Sequence, residues 1–153
     1  HYGNILWGKS PGSLIKLQKK ALRAVIGAKY NAHTAPIEKK LKLLSLPDIH
    51  QTKLACLYKK ITDKCAPTNT QIMFKNLDPS KDLVLPRTKT YENTIRFELP
   101  TYLKTAPDYF IQLAQKVKYV CFKTNVKKYI LERYSSLCPI VGCRNCHFSM
   151  VSN

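Results

Sequence analysis

Tyr2-Gly3-Asn4-Ile5-Leu6-Trp7-Gly8, a Ser10-Pro11 turn, and then Leu14-Ile15-Lys16-Leu17-Gln18-Lys19-Lys20-Ala21-Leu22-Arg23-Ala24-Val25-Ile26 form the stretch on which the fold turns. At about 100° per residue counted from Leu14, the second half is an amphipathic helix. Lys16, Lys19, Lys20 and Arg23 fall in one arc of roughly 100°. Leu14, Leu17, Ala21, Leu22, Val25 and Ile26 fall on the other side, which is expected to seek a core. Ser10 suits the N-cap, with Pro11 in the first turn where a missing N–H costs little. Gly27 is a natural stop.

Two more helical segments follow. Thr34 is placed to cap a short helix reaching about Leu44, with Pro36 in its first turn and Ile37, Leu41 and Leu44 as a narrow apolar stripe. Leu46-Pro47 breaks it. Asp48 is then expected to cap a helix over 49–64, where Leu54, Leu57, Tyr58 and Ile61 recur at helical spacing. Lys53, Lys60 and Lys64 flank that stripe. Three amphipathic helices joined by short turns predict a small, basic helical bundle over 1–64.

Residues 65–105 read differently. Pro67, Pro79, Pro86 and Pro100 interrupt any helical period. Leu83-Val84-Leu85 and Ile95-Arg96-Phe97-Glu98-Leu99 suit short extended pieces, with room for a hairpin. Helix is expected again over 106–136. One segment runs from Asp108 to about Lys118, and a second carries Tyr119, Phe122, Val126, Tyr129, Ile130 and Arg133 on one stripe. Residues 137–153 form a Cys-containing tail. The fold class is therefore mostly α, with an irregular middle.

Composition narrows the function. The 153 residues are 44% hydrophobic, enough for a core. The formal net charge is +17, and it is spread along the chain: net +10 over residues 1–64 and net +7 over 65–153. Such a surplus attracts polyanions, nucleic acid first and an anionic membrane surface second. No stretch approaches the ~20 apolar residues that span a bilayer. No signal-peptide pattern opens the chain, which starts at His1 as an excised segment would. Six cysteines in a chain of this length do not make a disulfide scaffold. Cys56, Cys65 and Cys121 are widely spaced and read as reduced, intracellular thiols in or near the core.

The ordered elements resemble the reverse transcriptases of non-LTR (LINE-type) retrotransposons. Tyr2-Gly3 and Trp7-Gly8 followed by Gln18-Lys19-Lys20-Ala21-Leu22-Arg23 resemble the stretch after the catalytic palm, at the thumb and beyond. His33-Thr34-Ala35-Pro36 is similar to the family's His-Thr-x-Pro element. Leu44-Ser45-Leu46-Pro47-Asp48-Ile49 is similar to its Leu-x-Leu-x-Asp-Ile step. Tyr91, Asn93, Thr94 and Arg96 resemble its Tyr-Asn-Thr-Arg motif with residues interposed. Phe122-Lys123 and Tyr129-Ile130-Leu131 resemble its closing helix.

The resemblance implies a segment that binds template RNA or an RNA–DNA hybrid at target DNA, in the nucleus. It places the palm and fingers of the same polyprotein upstream of His1. The family's polymerase chemistry uses an Asp-Asp pair that binds two metal ions. This sequence has no adjacent Asp-Asp, so no catalytic residue is carried over. As a chain by itself it is not expected to be an enzyme. The rival expectation is a domesticated, stand-alone basic interaction protein. It would bind acidic partners or an anionic membrane, entering lipid with Leu14, Leu17, Leu22 and Val25.

The nucleic-acid-binding candidates are Lys16, Lys19, Lys20 and Arg23, with Lys53 and Lys60. A solvated helix face is the plain alternative for such a ridge. If the ridge meets phosphates, each contact contributes about −0.9 to the log–log salt slope on duplex. Trp7 is either a core anchor or a base-stacking platform. Tyr30, Tyr58, Tyr91 and Tyr119, interleaved with Lys and Arg, suit single-stranded RNA and equally suit a Tyr-rich helical protein.

In the tail, Cys138, Cys143, Cys146 and His147 form the sharpest chemical cluster. Cys-x-x-Cys thiolates suit tetrahedral zinc. Cys146 and His147 are adjacent and strain to reach one ion together, so a fourth ligand is required from Cys121 or another chain. Cys143-Arg144-Asn145-Cys146-His147 also fits a c-type haem attachment motif, which needs an assembly system nothing here supports. An unliganded reduced tail is the third alternative.

Overall fold

The computed structural model describes residues 12–75, 77 and 94–134. Among these, every regular element is helical: α1 (Gly12–Val25), α2 (Ala35–Leu41), α3 (Leu46–Thr62), α4 (Thr68–Met73), α5 (Ile95–Thr105), α6 (Asp108–Lys116) and α7 (Tyr119–Glu132). The chain divides into two compact units. Of the described residues, one comprises 12–48 with 127–134, the other 49–75, 77 and 94–126.

In the first unit α1 packs against α2. Leu22, Ala32, Pro36, Ile37, Leu44 and Ile130 are buried there. α1 ends in a Schellman motif. Ala28 N–H donates to Arg23 O at 2.9 Å and Gly27 N–H to Ala24 O at 3.2 Å, with Gly27 at φ 63°. Glycine takes that left-handed conformation without a Cβ penalty.

The same hydrogen-bond pair closes two other helices without glycine. At α2, Leu43 N–H donates to Glu38 O and Lys42 N–H to Lys39 O, with Lys42 at φ 53°. At α3, Cys65 N–H donates to Lys60 O and Lys64 N–H to Ile61 O, with Lys64 at φ 57°. A left-handed L-residue costs roughly 1–2 kcal/mol. Lys42→Gly and Lys64→Gly should therefore each stabilise the protein by about 1 kcal/mol, raising the melting temperature by about 3 °C. A calorimetric scan showing no rise for either variant would sink this account.

α3 starts earlier than its sequence suggests. Ser45, not Asp48, holds the N-cap position: its Oγ accepts the Asp48 N–H at 3.3 Å and donates to the Asp48 carboxylate at 2.5 Å. This is half of a capping box: the N-cap hydroxyl reaches the Asp48 N–H, but the Ser45 N–H is not taken by the Asp48 carboxylate. Pro47 then falls in the first turn, where it opens a helix instead of breaking one. Tyr134 completes the network. Its hydroxyl donates to Asp48 and accepts the Ser45 N–H at 2.9 Å. Burial and the Asp48 hydrogen bond together push the Tyr134 hydroxyl up to about 12.

The second unit is built on Leu54, Ala55, Cys56, Tyr58, Ala66, Phe74, Leu99, Leu103, Phe110, Ala114, Phe122 and Val126. Its largest departure from expectation is at Ile95-Arg96-Phe97-Glu98-Leu99. This run of β-branched and aromatic residues is not extended; it opens α5, and Pro100 lies inside that helix. The deciding period is 4. Leu99 and Leu103 stack one turn apart and are both buried, as is Glu98. Burial of that stripe outweighs local strand preference and the one hydrogen bond Pro100 cannot donate. Residues 65–75 are likewise partly helical, through α4. Leu83-Val84-Leu85 lies outside the described residues.

Candidate nucleic-acid interface

α1 has three arcs, not two. Gln18, Leu22, Ile15 and Ile26 face inward, and of these Leu22 is fully in the core at 5% exposure. Lys16, Lys19 and Lys20 are exposed on a second arc with half-buried Arg23. Leu14 (56% exposed), Leu17 (62%) and Val25 (72%) occupy a third with exposed Ala21 and Ala24. The expectation that Leu14, Leu17, Ala21 and Val25 enter the core is overturned: the inward face is rotated by roughly 50° from the most apolar one.

The cause is Gln18. Its Nε2 donates to Leu44 O at 2.9 Å, and its Oε1 accepts the Leu46 N–H at 3.0 Å. Leu46 is the first residue of α3, so its N–H has no partner within its own helix. One amide thus satisfies both sides of the α2–α3 link and fixes which face of α1 turns in. Hydropathy does not register this, because it scores Gln18 as a solvent residue.

The cationic ridge divides in the same way. Lys16 and Lys20 lie one turn apart, exposed, on the outward arc. Lys19 is exposed but acts on buried Glu38. Burial holds the Glu38 carboxyl above its usual 4.5; Lys19 opposes that rise and Asp48 adds to it. A carboxyl raised on folding contributes stability below 4.5 that is lost as pH climbs through the folded value. Glu38→Gln should therefore raise the melting temperature at about pH 7 and change it little near pH 4. A lower melting temperature at neutral pH would mean that attraction to Lys19 outweighs burial.

Arg23 is a structural member of the ridge. Its Nε donates to Ala32 O at 2.7 Å, clamping the loop that follows α1. The guanidinium lies on the same arc as the lysines, but its position is set by that carbonyl.

Lys53 and Lys60 belong to the other unit. They are seven residues apart on α3, so they share a face. Lys53 is half-buried and Lys60 exposed. The Lys60 ammonium lies 5.3 Å from the centre of the Tyr119 ring, in cation–π range. Between them Lys59 is buried and paired with Asp63 at 2.6 Å. No sequence signal separates Lys59 from its neighbours except the acidic residue four positions on.

The second unit also buries a polar group that spacing alone does not reveal. His50 Nε2 on α3 lies 3.3 Å from Glu98 Oε2 on α5, both nearly inaccessible. Their separation of 48 residues hides the pair from any local motif. Beside it, burial pushes the Tyr102 hydroxyl and the Cys56 thiol upward. A raised thiol is a poor nucleophile, so Cys56 reads as core.

Cys138, Cys143, Cys146 and His147 lie outside the described residues, as do Trp7 and Tyr91. Cys121 is exposed. Among the described residues no three His, Cys, Asp or Glu side chains gather where they would hold a metal ion. No helix there is long and apolar enough to cross a membrane. No protein-family model, curated protein or solved structure matches the chain.

Proposed function

We propose that this chain is a nucleic-acid-holding segment of a non-LTR retrotransposon reverse transcriptase, thumb-adjacent and downstream of the palm. It grips template RNA or RNA–DNA hybrid by its phosphates and does not polymerise by itself. The upstream palm and fingers of the same polyprotein would supply the chemistry, at target DNA in the nucleus. The observation that carries this proposal is the exposed Lys16–Lys20 arc, on a helix whose opposite face is latched inward by Gln18. A latched helix presents its cations at fixed spacing, which suits a backbone more than a diffuse charge cloud does. The net charge of +17 and the ordered resemblance support it. Zinc at the tail cysteines is part of the same proposal, tested by metal analysis of reduced protein before and after Cys143→Ser.

A second proposal draws on the exposed Leu14, Leu17 and Val25: a basic interaction protein that binds an anionic membrane surface. Leu22 takes no part in it, being buried. The geometry favours nucleic acid. The direction opposite the inward arc runs between Lys20 and Ala24, so a flat bilayer would meet ammonium groups beside only three large apolar side chains.

A salt titration separates the two. Single-stranded RNA binding by the whole chain should fall with a log–log slope of about −1.4 or steeper, from two contacts at about 0.7 each. Binding to phosphatidylserine vesicles should vanish at high salt. Vesicle binding that survives high salt, with no measurable RNA binding, would replace the first proposal by the second.

A further inference from the structure

Tyr30 is 88% exposed, more than any other large apolar side chain among the described residues. It does not sit on a loose loop. Ala32 N–H donates to Lys29 O at 3.0 Å, closing a turn with Tyr30 and Asn31 at its corner. The residue before that turn and the turn's last residue are both tied to Arg23 of α1. The Arg23 carbonyl accepts the Ala28 N–H at 2.9 Å, and the Arg23 side chain donates to Ala32 O at 2.7 Å. Ala32 and Thr34 beyond it are buried. The solvent-exposed ring is thus carried by a backbone turn that Arg23, in the last turn of the ridge helix, clamps from both sides.

We propose that Tyr30 is a stacking platform for an unpaired base of a single-stranded nucleic acid, an inference that rests on the nucleic-acid function proposed above. Every base has a π-face, so a ring beside a phosphate-binding ridge adds affinity without a sequence code. The surroundings fit. Exposed Lys29 and Asn31 flank the ring, a cation for the backbone and an amide for base edges. The clamp matters because the backbone that carries the ring is already ordered, so binding costs only the side chain's own rotamer freedom. In duplex the bases are stacked on one another, so Tyr30 gives the segment a preference for single strands that the lysines alone cannot.

The test compares a single-stranded RNA with an abasic oligonucleotide of equal length and charge, bound to the full chain and followed by anisotropy. Tyr30→Ala should weaken RNA binding about tenfold and leave the abasic oligomer unchanged, while Tyr30→Phe stays within about twofold of wild type. The side chain is exposed, so the melting temperature should not move. If wild type binds RNA and abasic strand equally and Tyr30→Ala changes neither, stacking is overturned and the phosphate-holding function stands. If wild type binds neither, both are overturned together.

Discussion

Lys16→Glu with Lys20→Glu should weaken binding to single-stranded RNA by about a hundredfold. Each reversal removes one attraction and adds one repulsion, each about 1 kcal/mol at contact distance in water. Salt screening trims the total to about 3 kcal/mol, and 1.4 kcal/mol is about tenfold. The salt slope should become shallower by about 1.4, because two phosphate contacts are lost at about 0.7 each. Lys19 and Arg23 are left intact for structural reasons. Reversing Lys19 would set a third acidic group against Glu38 and Asp48, and altering Arg23 would release the Ala32 clamp. The matched control is Lys123→Glu with Lys127→Glu, two exposed lysines on α7. An equal loss from the control would mean that the chain binds as a diffuse polycation with no located site.

Phe122→Ala should cost about 3–5 kcal/mol, the usual effect of emptying a fully buried aromatic site. Phe122 is completely inaccessible on α7, as is Val126 one turn on. Against a typical total stability of about 5–15 kcal/mol, that loss is a large fraction. Val120→Ala on the same helix should fall within about 0.5 kcal/mol of wild type, since Val120 is exposed. Urea denaturation followed by circular dichroism measures both. Comparable shifts for the two variants would show that α7 is not anchored through its Phe122 face.

Much of the helical content was readable from periodicity. Of the expected stripe, Phe122, Val126 and Ile130 are buried, Tyr119 and Tyr129 half-buried, and Arg133 at its end is exposed. Gly27 stops α1 as expected, in the left-handed conformation that only glycine adopts at no cost. The errors share one origin. Ile95–Leu99 was expected to be extended because local propensity favours it, yet Leu103, four residues past Leu99, lets the segment bury a helical stripe. Asp48 was expected to cap α3 because it is a good cap, yet Ser45 is the residue whose hydroxyl reaches the free N–H.

The candidate site shows the same division. Four cations in one arc of α1 are visible in the sequence, since helical geometry alone places them there. Their separation into exposed Lys16 and Lys20, Lys19 acting on Glu38, and Arg23 clamping Ala32 is not, because each partner lies outside the helix. Nor does any local motif announce that the turn carrying exposed Tyr30 is clamped by Arg23.

What the sequence determined by itself is the charge, the periodicity and hence the helices: properties of single residues and of neighbours within a turn or two. Only the tertiary structure decided which face of α1 turns inward. That choice rests on Gln18 meeting the backbone at Leu44 and Leu46, more than twenty residues away. A half-buried backbone group at the α2–α3 link left without a partner costs more than an exposed leucine. So α1 turns its glutamine in and leaves Leu14, Leu17 and Val25 in water.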